Sequence, residues 1–212
     1  AKSKKPVLIA SIAAVALLAV AGGITMLAMS GGGAAEQVEE ILSSDMPNIG
    51  GIPLEGKSVV YILDRSGVTQ HTFEKMKEMC LNSVASLSSS RSFQIVVWNG
   101  HEPIAYPKSG LKPANGSNLG EARSSITNIY AGASNLVDHL KSAQAAGAKE
   151  VVILSAVDPD AHLAQEIEQD LGPADFRLHA IAIGSDLDGR QMQSICQQFG
   201  GQFKKMPLSA LN

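Results

Sequence analysis

Apolar positions along this chain follow three regimes, and the changes between them divide it. From residue 7 to residue 29 they are nearly continuous, running Val7-Leu8-Ile9-Ala10 through Ile24-Thr25-Met26-Leu27-Ala28-Met29 without a charge. As helix, about 23 such positions reach roughly 35 Å, enough to span a hydrocarbon core of about 30 Å. Residues 30–56 show no sustained period. Ser30-Gly31-Gly32-Gly33-Ala34-Ala35 reads as a small-residue hinge, and Glu36 to Leu42 as two helical turns with Val38, Ile41 and Leu42 on one side. Asp45 to Gly56, with Pro47, Gly50, Gly51 and Pro53, reads as linker. From Lys57 onward, short β-branched runs alternate with apolar residues spaced by three and four.

The first of these runs, Ser58-Val59-Val60-Tyr61-Ile62-Leu63, stops at Asp64-Arg65-Ser66-Gly67-Val68. Uniformly apolar and β-branched, it predicts a strand buried on both faces, with a polar loop at its carboxyl end. A helix is predicted from Thr69, with Phe73, Met76, Cys80, Val84 and Leu87 as its core face. Phe93 to Trp98 predicts a second strand and Asn99-Gly100 a tight turn. Glu102 to Tyr106 is then a returning edge strand, a place that tolerates Pro103 and Pro107. Lys108 to Asn118 reads as surface loop, and a helix is expected from about Asn128, with Ile129, Leu136, Val137 and Leu140 inward. Strands at 150–154, 177–183 and 202–206 alternate with helices at 161–171 and 187–199. The expected fold class is α/β: a doubly wound, mostly parallel six-stranded sheet with one antiparallel edge strand, preceded by a transmembrane helix.

Charge orients the apolar run. Lys2, Lys4 and Lys5 precede it, whereas Glu36, Glu39, Glu40 and Asp45 follow, so the positive-inside rule puts the N-terminus in the cytoplasm. The expected organisation is a basic tail at 1–6, a membrane span at 7–29, a stalk at 30–56 and a displayed domain at 57–212. That domain would lie outside the cell membrane, in the periplasm where an outer membrane exists. A competing reading is a cleaved signal peptide, for which Ala28, Ser30 and Ala34 offer small residues. The formal net charge of −3 supplies no basic surface for nucleic acid.

Chemistry-bearing residues are sparse. Five histidines are scattered without zinc-type spacing. Cys80 and Cys196 fall on helices that right-handed crossovers place on opposite sheet faces, so free buried thiols are expected. The loop after the first strand lacks the glycines of a dinucleotide or P-loop cradle, and no G-x-S-x-G elbow occurs. Asp64 and Ser66 remain, at the strand end where α/β sheets bind ligands.

Taken together, Lys57 to Met206 resembles the von Willebrand factor A-type domain, a Rossmann-like fold. The resemblance rests on Val60-Tyr61-Ile62-Leu63-Asp64-Arg65-Ser66-Gly67 as first strand and metal loop, and on Thr127-Asn128-Ile129-Tyr130-Ala131-Gly132 as threonine loop. Val152 to Val157, His179 to Gly184 and Phe199 to Phe203 resemble later strands and turns of that family. The resemblance implies a metal-ion-dependent adhesion site made of a D-x-S-x-S loop, a threonine and an aspartate after the fourth strand. Asp64, Ser66 and Thr127 match it; Val68 and Ala156 stand where the second serine and the aspartate belong. Losing a carboxylate near 4 Å forfeits about 4 kcal/mol at an effective dielectric of about 20, roughly three decades in affinity. Magnesium is therefore expected to bind weakly or not at all, with Asp64, Ser66 and Thr127 as a vestigial site, unless Asp158 or Asp160 reaches inward.

The implied function is a membrane-anchored, extracytoplasmic protein-interaction domain, not an enzyme, with a protein partner and no small-molecule substrate. The alternative is a magnesium-dependent adhesion receptor with a rearranged site. A remoter one is phosphotransfer of the dehalogenase type, whose D-x-D-x-[TV] loop Asp64 to Thr69 resembles, with Ser66 in place of the general acid. The family also closes with a helix after its sixth strand; only Pro207 to Asn212 remains here, so Glu36 to Leu42 or a partner is expected to cover that groove.

Overall fold

The structure, a computed structural model, describes residues 46–99, 104–129, 135–184 and 187–211. Nine strands occur among them: β1 (Asn48–Ile49), β2 (Ile52–Pro53), β3 (Ser58–Asp64), β4 (Ser92–Trp98), β5 (Ala105–Tyr106), β6 (Lys112–Pro113), β7 (Glu150–Ser155), β8 (Arg177–Ile183) and β9 (Phe203–Met206). Five α-helices accompany them: α1 (Phe73–Ser86), α2 (Gly116–Ser125), α3 (Leu136–Ala145), α4 (Ala161–Leu171) and α5 (Arg190–Gln198). Short 3-10 turns follow β3 at Gly67–Thr69 and β9 at Leu208–Leu211.

The main sheet runs β5-β4-β3-β7-β8-β9, with β6 also paired to β4. All pairs from β4 to β9 along this order are parallel, and only β5 and β6 run antiparallel. The sheet therefore has seven strands where six were expected, because β6, in the stretch read as surface loop, adds a second antiparallel piece beside β5 on the edge. Pro107 follows β5 and has no N–H for the ladder, and the Gln94 side chain donates to the Pro107 carbonyl at 3.0 Å. Every residue of β3 is buried, as a strand central in the sheet and covered on both faces requires.

Alternate residues of β3 feed two cores. Val59, Tyr61 and Leu63 pack with α1 and α2, while Val60 and Ile62 pack with α3, α4 and α5. Cys80 and Cys196 lie in different cores, both buried and both free thiols.

The start of the domain departs from expectation. Pro47–Asn212 forms one compact unit, and residues 47–56 are part of its core instead of a stalk. Ile49-Gly50-Gly51-Ile52 is a hairpin turn with both glycines at positive φ, 57° and 82°, the backbone that a two-residue hairpin loop demands. Ile49, Ile52 and Leu54 are at most 1% exposed. A Cβ on Gly50 would stand 2.7 Å from Met206 Cε and 3.0 Å from Ile181 Cδ1, so the hairpin tip presses onto β8 and β9. Strand β1 also packs on α1. Leu211 packs against the same core as Ile49, Ile52 and Leu54.

Four helices also differ from expectation. Helix α2 begins in sequence read as loop and continues through residues 119–125, where no element was expected; Asn115 accepts from the Asn118 amide at 2.9 Å to cap it, and Ala122 and Ile126 are fully buried. The helix expected from Asn128 begins at Leu136, capped by Asn135, and Ile129 is 57% exposed instead of facing the core. The helices expected from Thr69 and Leu187 begin at Phe73 and Arg190. Residues 7–29 and Glu36 to Leu42 lie outside the described residues. Among the described residues no helix is long and apolar enough to cross a membrane.

Candidate functional site

The carboxyl end of β3 delivers Asp64 into the sheet's upper edge, opposite Trp98 of β4 and beside the end of β7. Its side chain is fully buried, so its oxygens need partners. Oδ1 accepts from the Ser66 amide at 2.8 Å and from Asn99 Nδ2 at 2.7 Å. Oδ2 lies 3.1 Å from Ser66 Oγ and 2.9 Å from Ser155 Oγ, both placed to donate. Four protein donor groups therefore face one carboxylate, with the single Ser155 hydroxyl hydrogen shared between Asp64 and the Val157 carbonyl, also at 2.9 Å.

The surrounding loop is tied in the same manner. Thr69 Oγ1 lies within hydrogen-bond distance of the carbonyls of Asp64 (2.8 Å) and Ser66 (3.0 Å), closing the 3-10 turn. Arg65 is nearly buried, with its guanidinium 5.9 Å from the Phe73 ring centre and its Nη1 donating to the Ser66 carbonyl at 3.2 Å. Ser155 accepts from the Val157 amide at 2.9 Å, which holds the chain leaving β7 against Asp64.

Of the sequence-derived residues, the structure brings Asp64 and Ser66 into contact. Thr127 lines a cavity of about 690 Å³ with Tyr106, Pro107 and Lys112. Neighbouring Asn128 reaches across to the Gln70 carbonyl at 3.4 Å. Asp160 caps α4 by accepting from the Leu163 amide at 2.8 Å. Asp158 caps α5, accepting from the amides of Met192 at 3.0 Å and Gln191 at 3.4 Å. Both carboxylates sit at helix N-termini, where exposed amides and the helix dipole favour them. Among the described residues no group of three or more His, Cys, Asp or Glu is placed to hold a metal ion.

Asn99 and Ser155 are the contributors that sequence reading missed. Each follows or ends a strand adjacent to β3, which is the signal that could have found them. Val68 and Ala156 border a shallow crevice of about 360 Å³ together with Ile183, Leu187 and Leu208.

A second ionisable group lies at the opposite ends of the strands. Glu150, fully buried at the start of β7, accepts from the Glu55 amide at 3.0 Å and pairs with Arg177. His179 Nε2 is 3.9 Å from Glu150 Oε1, and His179 Nδ1 accepts from the Gln202 amide at 3.0 Å. Burial lowers the His179 pKa, more than Glu150 raises it.

These features have known counterparts. The family described as von Willebrand factor type A domain matches residues 57–204. The chain belongs to that family. Among solved structures, a von Willebrand factor type A protein from Catenulispora acidiphila is similar at 20% identity and TM-score 0.60, over 73% of this chain and 39% of that one. The ArnB paralog VWA2 from Sulfolobus acidocaldarius matches at 16% identity and TM-score 0.56, over 76% of this chain and 45% of that one. Proximal thread matrix protein 1 from the mussel byssus, in a structure with a zinc-occupied MIDAS motif, matches at 15% identity and TM-score 0.52, over 72% of this chain and 42% of that one. At these identities the likeness is one of fold, and the chain spans less than half of each of these proteins. No curated protein matches the chain. Domains of this family generally mediate protein interactions, and the mostly parallel sheet with an antiparallel edge pair is theirs.

Proposed function

We propose that this protein is a membrane-anchored, extracytoplasmic protein-interaction domain of the von Willebrand factor A type that works without a metal ion. The observation that carries the reading is the closure of Asp64. Its two oxygens already receive four donors, and a cation would have to displace several of them. Val68 and Ala156 supply no side-chain oxygen, and Asp158 and Asp160 are engaged at helix starts. Octahedral magnesium needs such oxygens in a tight shell, so this donor set does not fit it. Zinc in the mussel protein's motif is a property of that protein, whose fold alone is shared.

Calorimetry with magnesium and manganese, on the unmodified chain and on a Val68→Ser, Ala156→Asp double variant, tests the metal-independent reading. The expected result is silence from the former and binding only in the latter; micromolar binding by the unmodified chain refutes it. Anchoring is supported by Lys2, Lys4 and Lys5 before the uncharged stretch 7–29 and by the acidic residues after it. Protease added to intact cells or spheroplasts should remove the domain while a cytoplasmic control survives. Survival of the domain refutes the topology.

A further inference from the structure

We infer that the crevice at the carboxyl ends of β3, β7 and β8 receives one uncharged aliphatic or aromatic side chain of the protein partner, an inference that rests on the interaction reading above. Val68 leaves the turn after β3, Ala156 follows β7, Ile183 ends β8, and Leu208 begins the turn after β9. Thr72, Gly184 and Leu187 also line the cavity, whose volume is about 360 Å³. That is the small end of the range for ligand-binding cavities, fitting one side chain rather than a cofactor.

The surface around it is not random. Four large hydrophobic side chains are exposed among the described residues, and two of them, Val68 at 68% and Leu208 at 50%, border this one crevice. Exposed apolar groups gathered at a concavity mark recognition sites, whereas scattered ones do not.

Charge decides the occupant. Among the described residues no ionisable side chain lines the crevice, and the described carboxylates near it have partners. Asp64 is closed by four donors, Asp158 caps α5, and Asp188 pairs with Arg190 at 2.7 Å. An incoming carboxylate would find no cationic side chain among the described residues of these walls, and would lose its hydration without return. An apolar side chain would be dehydrated against valine, alanine, isoleucine and leucine, which is favourable. Two substitutions that remove metal ligands, Val68 and Ala156, also supply two of the walls.

The test is methyl NMR on the full chain in phospholipid nanodiscs, titrated with N-acetyl-leucinamide and separately with N-acetyl-aspartic acid amide, each with and without magnesium. The leucine probe should shift the methyls of Val68, Ile183, Leu187 and Leu208 saturably in the millimolar range, independently of magnesium. Leu208→Asp and Val68→Asp, both at exposed positions, should weaken that binding about tenfold or more, with the core methyls of Ile62 and Leu154 unmoved. Absence of shifts at the crevice, or shifts undiminished in both variants, overturns the inference and leaves metal-independent interaction standing. Shifts from the aspartate probe that require magnesium overturn both.

Discussion

Replacing Asp64 by Asn separates a closed carboxylate from a metal ligand by the sign of its effect on stability. In a metal site free of metal, a carboxylate crowded among other acceptors is destabilising, and neutralising it costs nothing or helps. Here its environment is made of donors. The Ser66 amide at 2.8 Å and Asn99 Nδ2 at 2.7 Å both point at Oδ1, and both bonds are charge-assisted. Loss of the charge weakens each by about 1 kcal/mol, the difference between a hydrogen bond to an ionised and to a neutral acceptor. On the other side, Ser66 Oγ and Ser155 Oγ can rotate to accept from the new amide, but Ser155 is also bound to Val157, so part of that network is lost. Asp64→Asn should therefore destabilise by about 2–3 kcal/mol, lowering Tm by roughly 4–12 °C for a domain of this size. Urea unfolding in the presence of a chelator, followed by fluorescence of Trp98, the chain's one tryptophan and the β4 neighbour of Asp64, reads it directly. Equal or greater stability in the Asn variant would refute the closed-carboxylate reasoning.

Three further outcomes are expected. Ile52→Ala, at a side chain 1% exposed, should cost about 2–5 kcal/mol in urea unfolding, whereas a linker position would change stability by less than about 0.5 kcal/mol. His179 and His139 are held below their ordinary pKa by burial, so the unfolded chain takes up protons before the folded one. Their contribution to stability is intact above about pH 6.5 and is lost as pH falls from there towards the folded pKa. His179→Gln, whose amide oxygen can still accept from Gln202, should flatten that acid decline in chemical unfolding curves; an unchanged slope would exclude His179 as a source. Burial also pushes the thiols of Cys80 and Cys196 up, Cys196 to about 12, so both should resist iodoacetamide in the native state and react on unfolding.

Strand and helix order was legible along the chain wherever the apolar pattern was strong. Predominantly apolar runs in β3, β4, β7 and β8, lacking the polar alternation of a half-exposed strand, are satisfied by burial on both faces and so point to central parallel strands. The position of Asp64 and Ser66 at a strand end, and the separation of Cys80 from Cys196, followed from the same alternation and from crossover handedness. Tertiary structure decided what local pattern leaves open. Helix α2, with Gly116, Ser117, Asn118 and Gly120, has poor intrinsic propensity and one thin apolar stripe; it is held by burying Ala122 and Ile126 and by Glu121 accepting from the Tyr106 hydroxyl at 2.9 Å. Gly50-Gly51 is equally consistent with linker and hairpin until β8, β9 and α1 provide a surface for Ile49 and Ile52. The partners of Asp64 are likewise a long-range matter, since Asn99 and Ser155 lie 35 and 91 residues away in sequence. A buried carboxylate takes its meaning from whatever the fold aims at it, and that convergence exists only once β4 and β7 are paired on either side of β3.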